Sequence, residues 1–435
     1  MTAVRTLPRV VGLAVAVALA LLVAAGPARA SDVLQTISLG AGSQPTGVAA
    51  GTDTVYVAES KGDKVREITN PSQSAHGGFR STTVAASDLT LDFPDAVSVL
   101  YGGSSVSGLD DPVVANFCVG ASSGVCAGQP ANSSVFGALY DPDLTGQSFS
   151  ASGCLRATGV AADNSLGDDA YAVIACAGTG SSSEGVQACD SFSPPTCSAY
   201  ALPTPTGGTT PVPAGVAELG ISSDFVVDDE ANGTVTELTN SASQANPPQI
   251  TPGPAAALAS GCQPAQIATL TDAAGDYTVF VACPGLGGVD VRTFIPSVSS
   301  AGSWGPASFD PVTHSTTATP FGVALSPTGR SLFVSDASNH ALYVYALSGA
   351  SDSQLGGEIT EPTGSEPDQV AAIANGSAGT NVFVANENSG TVTALDPPVP
   401  AEGTPVAPLS TSAIAKLRAQ RARHRRPAPL EALLR

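Results

Sequence analysis

Acidic side chains recur at one kind of position in this sequence, the polar turn that follows a short β-branched or aromatic run. They are Glu59, Asp228, Asp229, Glu230, Asp336 and Glu387, and His340 lies in the same turn as Asp336. If these runs are equivalent strands, their acids share one face and could form an electronegative surface. Such a surface would bind a basic partner or a divalent cation such as calcium. A plainer interpretation stays open, because acidic residues are good turn formers in any acidic protein.

Residues suited to catalysis are few. The chain has four histidines, and its motifs do not include a Gly-x-Ser-x-Gly, a His-Glu-x-x-His or a phosphate-binding loop. The segment Asp141-Pro142-Asp143 resembles half of a calcium loop but lacks the later glutamate. We therefore assign no catalytic, cofactor-binding or metal-ligating residues from the sequence and predict no cofactor.

The acidic turns belong to a sequence pattern that occurs in seven copies along the chain. A copy begins with small residues, as in Pro45-Thr46-Gly47-Val48-Ala49, and continues with a buried run, as in Val55-Tyr56-Val57-Ala58. The copies start at Pro45, Pro94, Ala157, Pro213, Pro264, Pro320 and Pro367. A period of about fifty residues with three or four strands predicts an all-β chain folded as a single seven-bladed β-propeller. The alternating segment Val33–Leu39 is predicted to pair as the outer strand of the last blade and to close the ring.

The repeats resemble the YVTN/NHL-type β-propeller repeat family of secreted bacterial proteins. The likeness lies in the Pro-x-Gly-Val-Ala starts and in strands such as Val382-Phe383-Val384-Ala385-Asn386. It implies a fold and no particular activity, because such folds host many functions. Our first hypothesis is an extracellular, non-enzymatic binding or scaffold protein for a protein, a peptide or a cell-envelope polymer. The alternative is a propeller enzyme of the lactonase or lyase type that acts at the channel mouth.

The N-terminal thirty residues read as a Sec-type signal peptide, which predicts secretion. Arg5 and Arg9 precede an apolar run, and Ala28-Arg29-Ala30 forms a cleavage site before Ser31. An uncleaved N-terminal anchor is the alternative; after cleavage we expect no transmembrane anchor. Residues 31–396 are then the propeller, 397–410 a Pro-rich linker, and 411–435 a basic tail that is helical or disordered.

The eight cysteines agree with export, because disulfides persist in oxidising compartments. Placing them on the blade template predicts four local bonds, with buried free thiols as the alternative, and the pairs are Cys118–Cys126, Cys154–Cys176, Cys189–Cys197 and Cys262–Cys283.

Charge divides the chain into an acidic body and a basic tail. Residues 31–400 contain seven Lys/Arg and thirty-five Asp/Glu, a net charge of −28, and residues 401–435 contain seven and two, a net charge of +5. The acidic body argues against nucleic acid as its partner. We expect a monomer.

Overall fold

A computed structural model describes most of the repeat region and the strand before it. The described residues are 33–40, 42–52, 54–61, 64–69, 78–83, 94–100, 111–116, 134–137, 147–150, 154, 156–163, 171–177, 185–190, 197–220, 224–242, 249–272, 275–296, 302–312, 315, 317–347, 356–375 and 379–398. The predicted signal peptide, the basic tail, nearly all of the linker, and Cys118 and Cys126 lie outside them.

Every secondary-structure element in these ranges is a β-strand, and the strands form separate antiparallel sheets that follow one another along the chain. Sheet I contains β2 (Pro45–Ala50), β3 (Val55–Glu59), β4 (Lys64–Thr69) and β5 (Arg80–Thr83). Sheet II contains β6 (Pro94–Leu100), β7 (Asp111–Asn116), β8 (Ser134–Gly137) and β9 (Gln147–Ser150). Sheet III contains β10 (Ala157–Ala162), β11 (Tyr171–Cys176), β12 (Gly185–Asp190) and β13 (Cys197–Ala201).

The second half of the chain repeats this order. Sheet IV contains β14 (Pro213–Glu218), β15 (Phe225–Asp229), β16 (Thr234–Ala242) and β17 (Gln249–Ala257). Sheet V contains β18 (Ile267–Thr271), β19 (Tyr277–Cys283), β20 (Gly288–Ile295), β21 (Ser303–Trp304) and β22 (Ser308–Pro311). Sheet VI contains β23 (Pro320–Leu325), β24 (Ser331–Asp336), β25 (Ala341–Ala346) and β26 (Gly356–Pro362). Sheet VII contains β27 (Pro367–Asn375), β28 (Gly379–Asn386), β29 (Thr391–Leu395) and β1 (Val33–Ser38).

The all-β propeller arrangement expected from the repeats is therefore confirmed. The second strand of each sheet is rich in β-branched and aromatic residues, and β11 and β19 are buried at every position. A strand buried on both faces must be apolar on both, which explains the continuous hydrophobic runs in the sequence.

β1 is remote in sequence from its sheet neighbours. It pairs antiparallel with β29, and the register joins Gln35 to Ala394 and Ile37 to Val392. Leu34 and Ile37 of this strand are buried in the same apolar cluster as Phe383 of β28.

Three disulfides are present among the described cysteines, and all three pairs are those that the blade template predicts. They are Cys154–Cys176, Cys189–Cys197 and Cys262–Cys283. Cys189–Cys197 joins the neighbouring strands β12 and β13. The other two bonds join the end of the second strand of a sheet to the segment that precedes its first strand, so the cross-links stay inside sheets III and V.

The first strands of the sheets, which we call the innermost strands, are packed too closely for a side chain at certain positions. A Cβ atom added to Gly322 would lie under 3.0 Å from the Asp368 carbonyl oxygen and 2.9 Å from Gln369 Cα in the next sheet. At Gly47 the corresponding approach is 2.9 Å, to the carbonyl oxygen of Asp95. Glycine in the Pro-x-Gly start is thus required by the neighbouring backbone.

Side chains near the innermost strands also hydrogen-bond to the next sheet. The contacts are Thr46 Oγ1 to Pro94 O, Ala162 N to Ser98 Oγ, Thr158 Oγ1 to Pro213 O, Thr269 Oγ1 to Glu218 O, Val323 N to Gln266 Oε1, Ser335 Oγ to Asp368 O, and Val48 N to Gln369 Oε1. These bonds fix the position of each sheet relative to the next.

Candidate functional site

The acids that the sequence places on one exposed face are mostly buried. Glu59 is 1% exposed, Asp228 0%, Asp229 3% and Asp336 0%. This differs from the expected solvent-facing surface, and the physical reason is the register. Glu59, Asp229 and Asp336 each lie opposite the first residue of the innermost strand, at the end of the second strand and before the turn.

Asp229 and Asp336 hold the segment that leads into the innermost strand. Asp229 Oδ1 accepts hydrogen bonds from the amides of Val212 at 2.8 Å and Ala231 at 3.1 Å. Asp336 accepts hydrogen bonds from the amide of Thr319 at 2.9 Å and from the hydroxyl of Tyr343 at 2.8 Å. These carboxyls satisfy buried donors, so they organise the turn.

Glu59 has a different partner, because Arg66 Nε donates to its Oε1 while Arg66 Nη2 donates to the carbonyl of Leu39. The positive charge thus compensates the buried carboxylate and ties sheet I to the residue that follows β1. Glu59 therefore adds no charge to the exposed surface.

His340, Glu230 and Glu387 remain accessible to solvent. His340 has a φ of 54°, and its Nδ1 accepts a hydrogen bond from the amide of Glu366 at 3.2 Å. Its role is a contact with the loop before sheet VII. Burial and the negative charge of Glu366 raise the pKa of Glu387.

A different set of residues surrounds the end of the sheets at which the innermost strands begin, which we call the mouth. The pairing register breaks there in six sheets, just after the first residue of the innermost strand. Such irregularities re-aim side chains. The second residue of the innermost strand in each of these six sheets is called a mouth residue. The mouth residues are Thr46, Asp95, Thr158, Ala214, Phe321 and Asp368.

Asp95 and Asp368 lie on the innermost strands of the two sheets that flank sheet I. Burial, followed by the negative charge of Glu387, raises the pKa of Asp95 to about 7, against a lowering contribution from Arg156. Burial also raises the pKa of Asp368 well above its usual range, and the charges of Asp95 and Glu387 raise it further. The two carboxyls therefore repel each other when both are ionised.

One oxygen of this pair lacks a partner. Asp368 Oδ1 is inaccessible to solvent and accepts no hydrogen bond from the described residues. Phe321, the mouth residue of the preceding sheet, is 37% exposed, which is unusual for a large apolar side chain in this protein. Phe321 and Asp368 lie on adjacent innermost strands, and a carboxyl together with an accessible aromatic ring is suited to an organic cation, which gains from both.

A metal site finds no support in the part of the chain that the structure describes. Within it, no three His, Cys, Asp or Glu side chains are close enough together to hold a metal ion. We therefore assign no metal ligands among the acids at the mouth.

Asp95 and Asp368 do not belong to the acidic turns that the sequence pattern singles out. The signal was present, since both residues directly follow the proline that starts a repeat, at the position that Thr46 and Phe321 occupy in other copies.

The comparisons with known proteins agree with the fold. No protein-family model and no curated protein matches this chain. Among solved structures, hydrazine synthase from Kuenenia stuttgartiensis is 14% identical with a TM-score of 0.51, covering 86% of this chain and 99% of its own. The Cps50 (Swd1) β-propeller domain from Myceliophteria thermophila is 13% identical with a TM-score of 0.51, covering 85% of this chain and 100% of its own.

A putative 6-phosphogluconolactonase from Bacteroides fragilis is 14% identical with a TM-score of 0.50, covering 85% of this chain and 98% of its own. The chain is thus a β-propeller protein. At these identities the likeness concerns the fold alone, and the resemblance to the YVTN/NHL repeats is not supported by any family model. Among the described residues, no helix is long and apolar enough to cross a membrane.

Proposed function

We propose that this protein is an extracytoplasmic binding protein that takes an organic cation, such as the side chain of Lys or Arg in a partner peptide, at the mouth. The observation that carries the proposal is the electrostatically coupled pair Asp95 and Asp368 on either side of sheet I. An ammonium or guanidinium group bound at the mouth would relieve the repulsion between the two carboxyls.

The proposal includes one closed ring of seven blades, sheets I to VII, with β1 as the outer strand of the last blade. Two observations support it. The innermost strand β2 contacts both β6 and β27, so the first and last sheets are neighbours, and β1 pairs with β29.

It also includes a location outside the cytoplasm, supported by three disulfides and by the signal-like N-terminal segment.

Binding can be tested with a short Lys- and Arg-containing peptide and a copy in which Gln replaces the basic residues. Calorimetric titration of the mature chain should detect the basic peptide only, with an affinity that falls as salt rises. Asp368→Asn should weaken binding at least about tenfold, which corresponds to about 1.4 kcal/mol. Glu230→Gln removes the same charge from an exposed turn of sheet IV and should leave the affinity unchanged. Equal binding of both peptides, or equal loss in both variants, would reject the site.

A second candidate function, a lactonase- or lyase-type enzyme, is favoured by Asp95. A carboxyl with a pKa of about 7 is matched to general acid–base catalysis near neutral pH, and the positive charge of Arg156 acts on it. Turnover of a panel of lactones and lyase substrates, lost in Asp95→Asn and retained in His340→Ala, would establish this alternative. Absence of turnover by the intact chain would leave binding as the function.

A further inference from the structure

Asp228 is a buried carboxyl that neither the mouth nor a turn accounts for. It lies on β15, is 0% exposed, and its Oδ1 accepts the amides of Ala214 at 3.1 Å and Gly215 at 2.8 Å. Its Oδ2 is also buried and has no hydrogen-bond partner among the described residues. A carboxylate oxygen can only accept, so an ionised Asp228 would leave a charge uncompensated in the core.

Sheet VI shows what this position does elsewhere in the protein. Ser335 occupies the equivalent place, because Val334 pairs with Val323 as Val227 pairs with Val216. Ser335 Oγ accepts the amide of Gly322 at 2.8 Å and donates to the carbonyl of Asp368 on the next innermost strand. One hydroxyl thus joins two sheets by accepting from one and donating to the other.

The surroundings of Asp228 resemble that arrangement, with the two roles of Ser335 Oγ divided between the two carboxyl oxygens. A Cβ atom built on Gly215 would lie 3.0 Å from Asp228 Oδ2 and 3.3 Å from the carbonyl oxygen of Ala265, which precedes β18 in the next sheet. In sheet VI, the same construction on Gly322 meets Ser335 Oγ at 2.9 Å and the carbonyl of Asp368. Two oxygens therefore flank the glycine in both sheets, and in sheet VI a proton links them.

We propose that Asp228 is a protonated carboxylic acid that joins sheet IV to sheet V, with Oδ1 accepting from β14 and the Oδ2 hydroxyl donating to the carbonyl of Ala265. In this form the carboxyl makes the contacts that Ser335 makes in sheet VI. Loss of the proton would place a negative oxygen beside the carbonyl oxygen of Ala265 and would loosen this junction.

The groups that face Asp228 agree with the neutral form. Burial raises its pKa to about 7, the amides of Gly215 and Ala214 oppose that rise, and the charges of Asp229 and Glu230 add to it. Among the described residues, β16 places Val235 opposite Asp228 and sheet V places Ala265 and Gln266 nearby, and none of these three side chains titrates.

The test compares Asp228→Asn and Asp228→Ser with the intact chain. Asn keeps an acceptor for the two amides and supplies a permanent donor, and Ser copies sheet VI. From about pH 6 to about pH 8 the melting temperature of the intact chain should fall more than that of Asp228→Asn, because residue 228 can lose a proton only in the intact chain, whereas Asp95 titrates in both. Infrared difference spectra at the lower pH should show a protonated carboxyl C=O stretch that decreases in Asp228→Asn.

Asp229→Asn serves as the control, since it removes a neighbouring buried carboxyl whose two oxygens already accept hydrogen bonds. It should leave the signal of the protonated carboxyl in place. An infrared signal that is unchanged in Asp228→Asn, or a melting profile with the same pH dependence as the intact chain, would overturn the proposal. If neither Asn nor Ser folds, the infrared spectrum of the intact chain with an isotope label at the Asp228 carboxyl alone still decides its protonation state, because the label separates it from Asp95 and Asp368.

Discussion

Gln369 in β27 accepts a hydrogen bond from the backbone amide of Val48 in β2 at 3.3 Å, across 321 residues of sequence. The same relationship occurs between Gln266 and the amide of Val323, at 2.8 Å. Both glutamines stand at the position that carries glycine in four of the other five copies and alanine, Ala96, in the fifth. The junction between the last sheet and the first is therefore built like a junction between sheets that are adjacent in sequence.

Replacing either glutamine should weaken its junction. Gln369→Ala and Gln266→Ala each leave a largely buried amide without its acceptor, and each should reduce the free energy of unfolding by about 1–3 kcal/mol. Urea denaturation measures this, with the exposed Gln249 changed to Ala as control. A large effect for Gln266 with none for Gln369 would mean that sheets VII and I do not depend on this contact.

Removing β1 should destabilise the protein. A chain that begins at Gly40 loses the pairing with β29 and the burial of Leu34 and Ile37, which at about 1.5–3 kcal/mol each amounts to about 3–6 kcal/mol. Thermal melting measures the loss, and a chain that ends at Pro398 is the control because it keeps every described strand. Equal melting temperatures for the two truncated chains would contradict a role of β1 in closing the ring.

Adding a side chain at the close approach of two innermost strands should also be costly. Gly322→Ala forces a Cβ atom against the backbone of Asp368 and Gln369, and should destabilise the protein by about 1–3 kcal/mol. Gly305→Ala is the matched control, since its nearest neighbour would be 3.4 Å away, an ordinary contact, and the change should stay within about 0.5 kcal/mol. Similar effects at both glycines would show that this packing is not restrictive.

The mouth should make the protein less stable as the pH rises. The pKa of Asp95 is about 7 in the folded state and about 3.8 in the unfolded state, so the folded state binds the proton more tightly. Its contribution to stability is present below about pH 4 and is lost as the pH rises towards about 7. Asp95→Asn should therefore show a shallower fall in unfolding free energy over this range than the intact chain. A steeper fall in Asp95→Asn would reverse the assignment.

The repeats allowed the strands and their order to be predicted, because small residues crowd the innermost positions and β-branched residues fill the second strands. Burial at the turns could not be predicted. Asp229 and Glu230 are adjacent and chemically alike, yet Asp229 is the last residue of β15 and faces the amide of Val212, while Glu230 is exposed. One residue of register separates an internal anchor from a surface charge, and composition carries no information about it.

The pair of acids at the mouth could not be predicted from the sequence, for a related reason. Asp95 and Asp368 are separated by most of the chain, and their coupling depends on sheets II and VII flanking sheet I. The sequence indicates that such sheets exist, but the charge that one acid feels from another follows from distances in three dimensions.

The register break at the start of six innermost strands has an evolutionary consequence. Backbone packing there depends on the small residue or glutamine that follows, so the side chain at the preceding position can vary, although Thr46 and Thr158 use theirs to bond the next sheet. Within this single chain it already accommodates a hydroxyl, a carboxyl, a methyl group and a phenyl ring, at Thr46, Asp95, Ala214 and Phe321. A lineage could exchange one ligand for another through a handful of codon changes at these sites, and a combinatorial library restricted to them would explore recognition while leaving the scaffold intact.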